Sequence, residues 1–346
     1  MKIIQDLTID EIATELEPLN LKKYRLGQIF EWINNYKDFD EMLNLPADLR
    51  EELKKRYICK PVEILKEFKS QDGTIKFLYK LSDGELIEGV LMKYKYGNTL
   101  CVSTQVGCRM GCSFCASGID GLIRNLSAGE ILGQVLCVNS HLGGTIADRK
   151  VTNIVLMGSG EPLDNYDNVV KFIKLVSAPN GINISQRNIS LSTSGLADKI
   201  KKLTDENLGI TLTISLHATE DETRKKLMKV ANAYPLEELM SAVRYYYEKT
   251  HRRVVFEYIM LPENTKHEDA LRLHALTRGI ACHVNLIPVN AGGSSKIKPL
   301  SKEKETRFWK ALHDEGVSAT TRRTLGADIE GACGQLRRRV IKDGLK

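Results

Sequence analysis

No stretch of this chain approaches the roughly 20 consecutive apolar residues of a membrane-spanning helix. The opening segment, MKIIQDLTIDEIATELEPLNLKKYR, is charged every few residues and offers no apolar signal-peptide core. Membrane insertion and secretion are therefore disfavoured, and the cytoplasm is the expected compartment. Internal repeats and low-complexity segments are missing too, which sets aside solenoids and disordered linkers. Neither sign of charge dominates: 50 Lys and Arg against 44 Asp and Glu leave +6, which permits an anionic partner without requiring one.

What is present is a chain of 346 residues, 42% hydrophobic, able to bury a sizeable core as one large α/β domain with a small appendage. Residues 1–55 read as helical: Ile9, Ile12, Leu16 and Leu19, then Ile29, Phe30 and Ile33, recur at three- and four-residue steps until Asn44-Leu45-Pro46 breaks the pattern. Residues 56–95 form a β-rich connecting segment, with strand formers at Thr74–Tyr79 and turn signals at Gln71-Asp72-Gly73 and Ser82-Asp83-Gly84. Within residues 96–320, β-rich runs at 99–106, 153–157, 188–193, 210–216, 254–260 and 283–288 alternate with helical patterns. Six such runs predict a parallel, barrel-like sheet whose active residues sit at the carboxyl ends of its strands. Between the first two, Ser127 and Glu130 have capping-box spacing and open an amphipathic helix. The tail, residues 321–346, ends in RRRVIKDGLK, either a solvated terminus or an RNA contact.

Eight cysteines, Cys59, Cys101, Cys108, Cys112, Cys115, Cys137, Cys282 and Cys333, in a long chain of this kind favour metal or catalytic thiols over disulfides. Three of them, Cys108, Cys112 and Cys115, fall within one loop after the first run, and Gly107 and Gly111 let it fold tightly. Three thiolates can hold three irons of a four-iron cluster, leaving the fourth open to the amine and carboxylate of an amino acid such as that of S-adenosylmethionine. Structural zinc needs four ligands, and the loop has no nearby fourth His or Cys. Inert cysteines would be an odd filling for a glycine-rich loop.

At this triplet the chain resembles the radical S-adenosylmethionine superfamily, with its C-x3-C-x2-C motif and partial (β/α)6 barrel. More narrowly, CVSTQVGCRMGCSFC at 101–115, MGSGEPLDN at 157–165, LSTSG at 191–195, SLHA at 215–218, NLIPVN at 285–290 and ACGQL at 332–336 resemble the RlmN/Cfr family of RNA methyltransferases. The resemblance implies an α/β fold: a partial (β/α)6 barrel with a small N-terminal helical accessory domain, suited to RNA binding, and the β-rich connection. It implies one [4Fe-4S] cluster on Cys108, Cys112 and Cys115, and S-adenosylmethionine, two per methylation, bound at Gly160, Glu161, Ser192, Ser215, Leu216, His217 and Asn290. Read alone, a Ser or His at a strand end is more often a satisfied structural group.

The same resemblance makes Cys333 the residue that one S-adenosylmethionine methylates. A 5′-deoxyadenosyl radical from a second takes hydrogen from that methyl group, and the carbon radical adds to the adenine ring. Cys101 would then resolve the RNA adduct by a disulfide with Cys333, and Glu88 would remove the ring proton. By themselves Cys101 and Glu88 read as a buried strand thiol and a solvated carboxylate. The implied reaction is methylation of adenosine C2 in 23S ribosomal RNA and in tRNA, by a monomer served by an electron donor such as flavodoxin or ferredoxin. NLIPVN favours the C2 branch over Cfr-like C8 methylation, whereas Lys229-Val230-Ala231-Asn232 and Ala291 depart from the usual pattern. A non-catalytic iron-sulfur RNA-binding protein is the reading that intact Cys101, Cys333 and Glu88 oppose. Lys22, Lys23, Tyr24 and Arg25, followed by Gln28, Phe30 and Trp32, are candidates for an RNA platform or for ordinary packing.

Overall fold

The structure, a computed structural model, describes residues 1–289, 299–323 and 325–329. Its N-terminal part is helical, as the periodicity predicts. Strand β1 (Lys2–Ile3) precedes α1 (Ile9–Glu15), α2 (Lys23–Asn34) and α3 (Ala47–Arg56), and β2 (Tyr57–Ile58) returns to pair in parallel with β1. Thr8 and Glu11 close a capping box at the start of α1, and α3 begins directly after Pro46. Ile12, Leu16, Ile29, Phe30 and Ile33 bury together with Leu49 and Leu53 in a core of their own. This unit seats on the main body through Asp6, which accepts the Gly129 N–H at 2.6 Å in the first turn of α4 (Ala128–His141), where unpaired amides favour an anion.

Next come β3 (Val62–Lys69), β4 (Ile75–Leu81) and β5 (Leu86–Tyr94), antiparallel and connected through the two turns that the sequence signals. They continue the main sheet, because β5 pairs with β6 (Gly97–Cys101). The run at 99–106, expected as one strand, is two. After β6 the chain leaves the sheet, and β7 (Gln105–Gly107) pairs with β8 (Leu122–Asn125) in a separate ribbon. The break falls at Ser103, whose N–H and C=O are both taken by the side chain of Gln134 on α4, each at 2.9 Å, in place of a neighbouring strand.

Beyond the ribbon, β9 (Asn153–Leu156), β10 (Ile189–Thr193), β11 (Thr211–Ser215), β12 (Val254–Met260) and β13 (Cys282–Pro288) supply the other expected runs, and β14 (Ala319–Thr321) adds a short one that the sequence did not announce. The ten strands stand in the order β14-β13-β12-β11-β10-β9-β6-β5-β4-β3, parallel from β6 to β14. Helices α5 (Tyr166–Val176), α6 (Ala197–Asp205), α7 (Asp221–Leu227), α8 (Leu236–Thr250), α9 (His267–Thr277) and α10 (Lys302–Asp314) lie between the later strands in the chain. The expected α/β architecture with a parallel-rich sheet is thus the observed one. Ser127 and Glu130 do form the capping box of α4, and the Glu130 carboxylate also pairs with Arg124 of β8.

Register divides the sheet into two chemically opposite faces. Phe77, Ile87, Leu100, Ile154, Leu191, Leu212, Ile214, Phe256 and Leu286 share one face and pack in a single core with Ile131, Val135, Phe172, Ile200 and Leu239 of the helices. The other face is lined by Lys76, Glu88, Cys101, Ser192, Thr213, Ser215, Glu257 and Asn285. A strand alternates its side chains, so both faces are written into each strand with period two. At the far end of the chain, Asp328 accepts the Ser70 hydroxyl at 2.5 Å and the Gln71 N–H at 3.1 Å, and Asp72 accepts the Gly326 N–H at 2.8 Å. The segment before residue 330 is thereby fastened to the β3–β4 turn. Asn290 and Cys333 lie outside the described residues.

Candidate active site

The loops that follow the parallel strands are sewn to one another in sheet order. After β6, the amides of Thr104 and Gln105 both donate to the Ser159 carbonyl beyond β9, and the Gln105 side chain accepts the Glu161 N–H at 2.9 Å. Glu161, buried, accepts the N–H of Leu163 at 3.0 Å and the N–H of Ser194, beyond β10, at 2.7 Å. Burial pushes the Glu161 carboxyl up, and these amides pull it back. Arg224 of α7, fully buried, donates to the carbonyls of Ser194 (2.7 Å), Leu216 (3.2 Å) and Tyr234 (3.2 Å), joining the ends of β10 and β11. Desolvation lowers the guanidinium to about 10, which leaves it cationic at neutral pH. Leu216 and His217 in turn donate their amides to the Glu257 carbonyl of β12.

His217 has a left-handed backbone, and its Nδ1 accepts the Ile259 N–H at 3.0 Å. Burial first, and Arg224 second, push the imidazole down to about 3. It is therefore neutral, and with Nδ1 accepting, the proton sits on Nε2 as a donor. Its ring meets Phe114 edge-on at 4.8 Å, so the β11 end touches the cysteine loop.

That loop is the tip of the β7–β8 ribbon, a correction to its expected place directly after the first strand of the sheet. Cys108 N–H donates to the Gly121 carbonyl, Cys115 N–H to the Cys112 carbonyl, and Ser113 N–H to the Leu227 carbonyl at the end of α7. Burial raises the thiols of Cys108 and Cys112 to about 12, with smaller contributions from each other's neighbourhood: Cys115 and Glu161 bear on both. The thiols are thus within electrostatic reach of one another. Among the described residues no group of three His, Cys, Asp or Glu stands arranged to hold a single metal ion. A four-iron cluster takes each thiolate on a different iron, so its chemistry fits three thiols in one loop.

Gly107 shows how tight this ribbon is. Its φ is +79°, and a β-carbon there would stand 2.1 Å from the Gly121 carbonyl oxygen. Gly107→Ala is expected to cost roughly 1–3 kcal/mol in backbone strain alone, with overpacking added. Thermal unfolding should show a lower Tm, and iron content per chain should fall although every cysteine is intact.

The remaining expected residues divide by location. Ser192 and Ser215 lie on the polar face beside Glu257, whose carboxyl is raised by burial and eased by Arg322 and the Ser192 hydroxyl. Cys101 and Glu88 are both buried on that face, the latter against expectation for a solvated carboxylate. Lys76 Nζ stands 3.7 Å from Glu88 Oε2. In the N-terminal unit, Arg25 and Trp32 donate to Asn44, at 2.5 Å and 2.7 Å, which is a packing role, while Lys22, Lys23 and Tyr24 remain exposed. Sequence reading missed Lys76, Glu257 and Arg224. The first two had a signal, a charge inside an alternating strand run; Arg224 sits in a helix full of charges and had none.

The chain matches the family described as the radical SAM superfamily over residues 102–274, and the ribosomal RNA large subunit methyltransferase N-terminal domain over residues 4–59. It is 50% identical to the probable dual-specificity RNA methyltransferase RlmN of Clostridium botulinum (strain Eklund 17B / Type B), an alignment covering 99% of this chain and 98% of the relative. The protein of the same description from Clostridium novyi (strain NT) is 47% identical, covering 99% and 100%. Among solved structures, a radical SAM methyltransferase from Sphaerobacter thermophilus superposes with a TM-score of 0.92 at 41% identity, over 97% of this chain and 99% of that one.

Proposed function

Because the chain belongs to the RlmN family of radical SAM methyltransferases, we propose that it methylates C2 of adenosine in 23S ribosomal RNA and in tRNA through a methylated Cys333. The observation that carries this reading is the placement of Glu88 and Cys101 on one polar face, below loops that gather the cysteine triplet, Glu161 and His217. A family cofactor pair of [4Fe-4S] cluster and S-adenosylmethionine supplies, when bound, the one-electron chemistry that an unreactive ring carbon needs. Cys108, Cys112 and Cys115 would hold the cluster.

The chain's own residues do the rest. The Gly160–Glu161 loop and the Ser192, Ser215 and Leu216–His217 strand ends line the place for S-adenosylmethionine, and the Nε2–H of His217 offers it a donor. Glu88 serves as the base for the ring proton, and Cys101 as the thiol that frees the RNA from Cys333. The target base would be splayed from its loop to reach them, with Lys22, Lys23 and Tyr24 helping to seat the RNA. Among the described residues no helix is long and apolar enough to cross a membrane. In this reading the protein works in the cytoplasm with a flavodoxin- or ferredoxin-type electron donor.

Nucleoside mass spectrometry of ribosomal RNA and tRNA from cells with and without the gene tests the reading. Loss of 2-methyladenosine on deletion and its return on complementation are expected. Loss of 8-methyladenosine instead would reassign the carbon, and unchanged nucleosides would overturn the proposal.

A further inference from the structure

One buried charge has no part in the function described so far. Lys76 is 1% exposed on β4, and its Nζ lies 3.7 Å from Oε2 of Glu88, whose side chain is 6% exposed. Lysine is among the residues least often buried, because taking an ammonium out of water is costly unless a partner offsets it. Filling this position with an apolar side chain would avoid that cost, so the charge itself calls for a reason.

Register explains how the groups meet. Lys76 is opposite Val90 across β4 and β5, and Val90 is opposite Cys101 across β5 and β6. Glu88 lies one same-face step before Val90. Lys76, Glu88 and Cys101 therefore share one patch of the polar face, with Val90 between them. The backbone beneath is held as well: the Ser103 hydroxyl donates to the Glu88 carbonyl at 2.7 Å and accepts the Ser159 N–H at 2.9 Å. The Glu88 carbonyl is thus held by Ser103, and its carboxylate stands within ion-pair distance of Lys76.

We infer that Lys76 is the positioning residue of the general base, its ammonium orienting the Glu88 carboxylate toward the ring proton of the RNA adduct. The inference rests on the role given to Glu88 under the proposed function. In the step concerned the adduct, once its unpaired electron has passed to a one-electron acceptor of the iron-sulfur class, gives its ring proton to a Glu88 oxygen, and the electron pair of the broken C–H bond restores the aromatic adenine ring. Lys76 keeps its own protons throughout and touches no reacting atom.

The test uses the full-length, cluster-loaded protein with RNA substrate in single turnover, comparing Lys76→Met, Lys76→Arg and Glu88→Gln. Two events are read separately: methylation of Cys333 by peptide mass spectrometry, and release of RNA from the protein on a denaturing gel. With Lys76→Met, Cys333 methylation should proceed at the wild-type rate while release slows by about 10- to 100-fold, the range for a misplaced catalytic group, so that a nuclease-sensitive adduct accumulates. Lys76→Arg keeps a cation at the site and should restore release to within several-fold.

A merely structural lysine would slow both events together and would not be rescued by arginine, and that pattern overturns the inference. So does release at the wild-type rate in Lys76→Met while Glu88→Gln accumulates adduct, which leaves the proposed function standing. No adduct in Glu88→Gln, together with no methylated adenosine from the wild type, overturns the function itself. Should Lys76→Met fail to fold, Lys76→Gln, which keeps a neutral donor beside Glu88, is read by the same two outcomes.

Discussion

Replacing Cys108, Cys112 or Cys115 with Ala, one at a time, should abolish the iron-sulfur absorbance and all cleavage of S-adenosylmethionine. In the proposed site each thiolate would anchor a different iron, so the loss of one would not be shared out among the others. The fold should survive. Cys112 and Cys115 are only partly buried in a loop, and point substitutions typically cost about 1 kcal/mol. A normal far-ultraviolet spectrum with no visible absorbance is the expected pair of observations. Burial raises the thiols of Cys108 and Cys112 to about 12, so binding of the cluster must displace their protons and should be tighter at higher pH. Full absorbance and cleavage in any one of the three variants would sink the assignment of the triplet.

The second large effect separates two cysteines by the places that the proposed route gives them. Cys333→Ala removes the methyl acceptor, so neither methylated protein nor methylated RNA should form, although the cluster is intact. Cys101→Ala leaves acceptance and addition possible but removes the thiol that, in the proposed route, attacks the Cys333 sulfur. It should therefore collect protein joined to RNA, seen as a nuclease-sensitive shift on a denaturing gel. The substitution is small: Cys101 lies between Val90 and Val155 in its cross-strand row, where Ala fits. The double variant should show no shift, because the point of attachment is gone. Normal turnover by Cys101→Ala, or an adduct that survives loss of Cys333, would exclude the two-thiol route.

Much of this molecule was legible as local pattern. The cysteine triplet, the Gly160–Glu161 loop, the box at Ser127 and Glu130 and the turns at Gly73 and Gly84 each depend on residues a few positions apart, so spacing along the chain carries them. The six β-rich runs all entered the sheet for the same reason: a buried strand needs a run of apolar or β-branched residues. The exceptions are instructive. The run at 99–106 reads as one strand, and partners distant in the chain end it early: the Gln134 side chain, thirty-one positions beyond Ser103, and the Ser159 carbonyl, which takes the amides of Thr104 and Gln105. The strand at Ala319–Thr321 is too short and too polar to stand out, and exists because the edge of β13 has amides to satisfy.

By itself, then, the amino-acid sequence determined the chemistry on offer: three thiols in one glycine-rich loop, an α/β alternation, and a helical unit ahead of it. Only the tertiary structure decided which distant groups share a site. Lys76, Glu88 and Cys101 stand together because antiparallel register sets Lys76 against Val90 and Val90 against Cys101, and a shift of one residue would turn every one of them to the opposite face. Glu161 reaches Ser194, and Arg224 reaches the ends of two strands, for the same kind of reason. Spacing acts through bonds along the chain and can be read there, whereas register is chosen by the burial of a whole face and has no local sign.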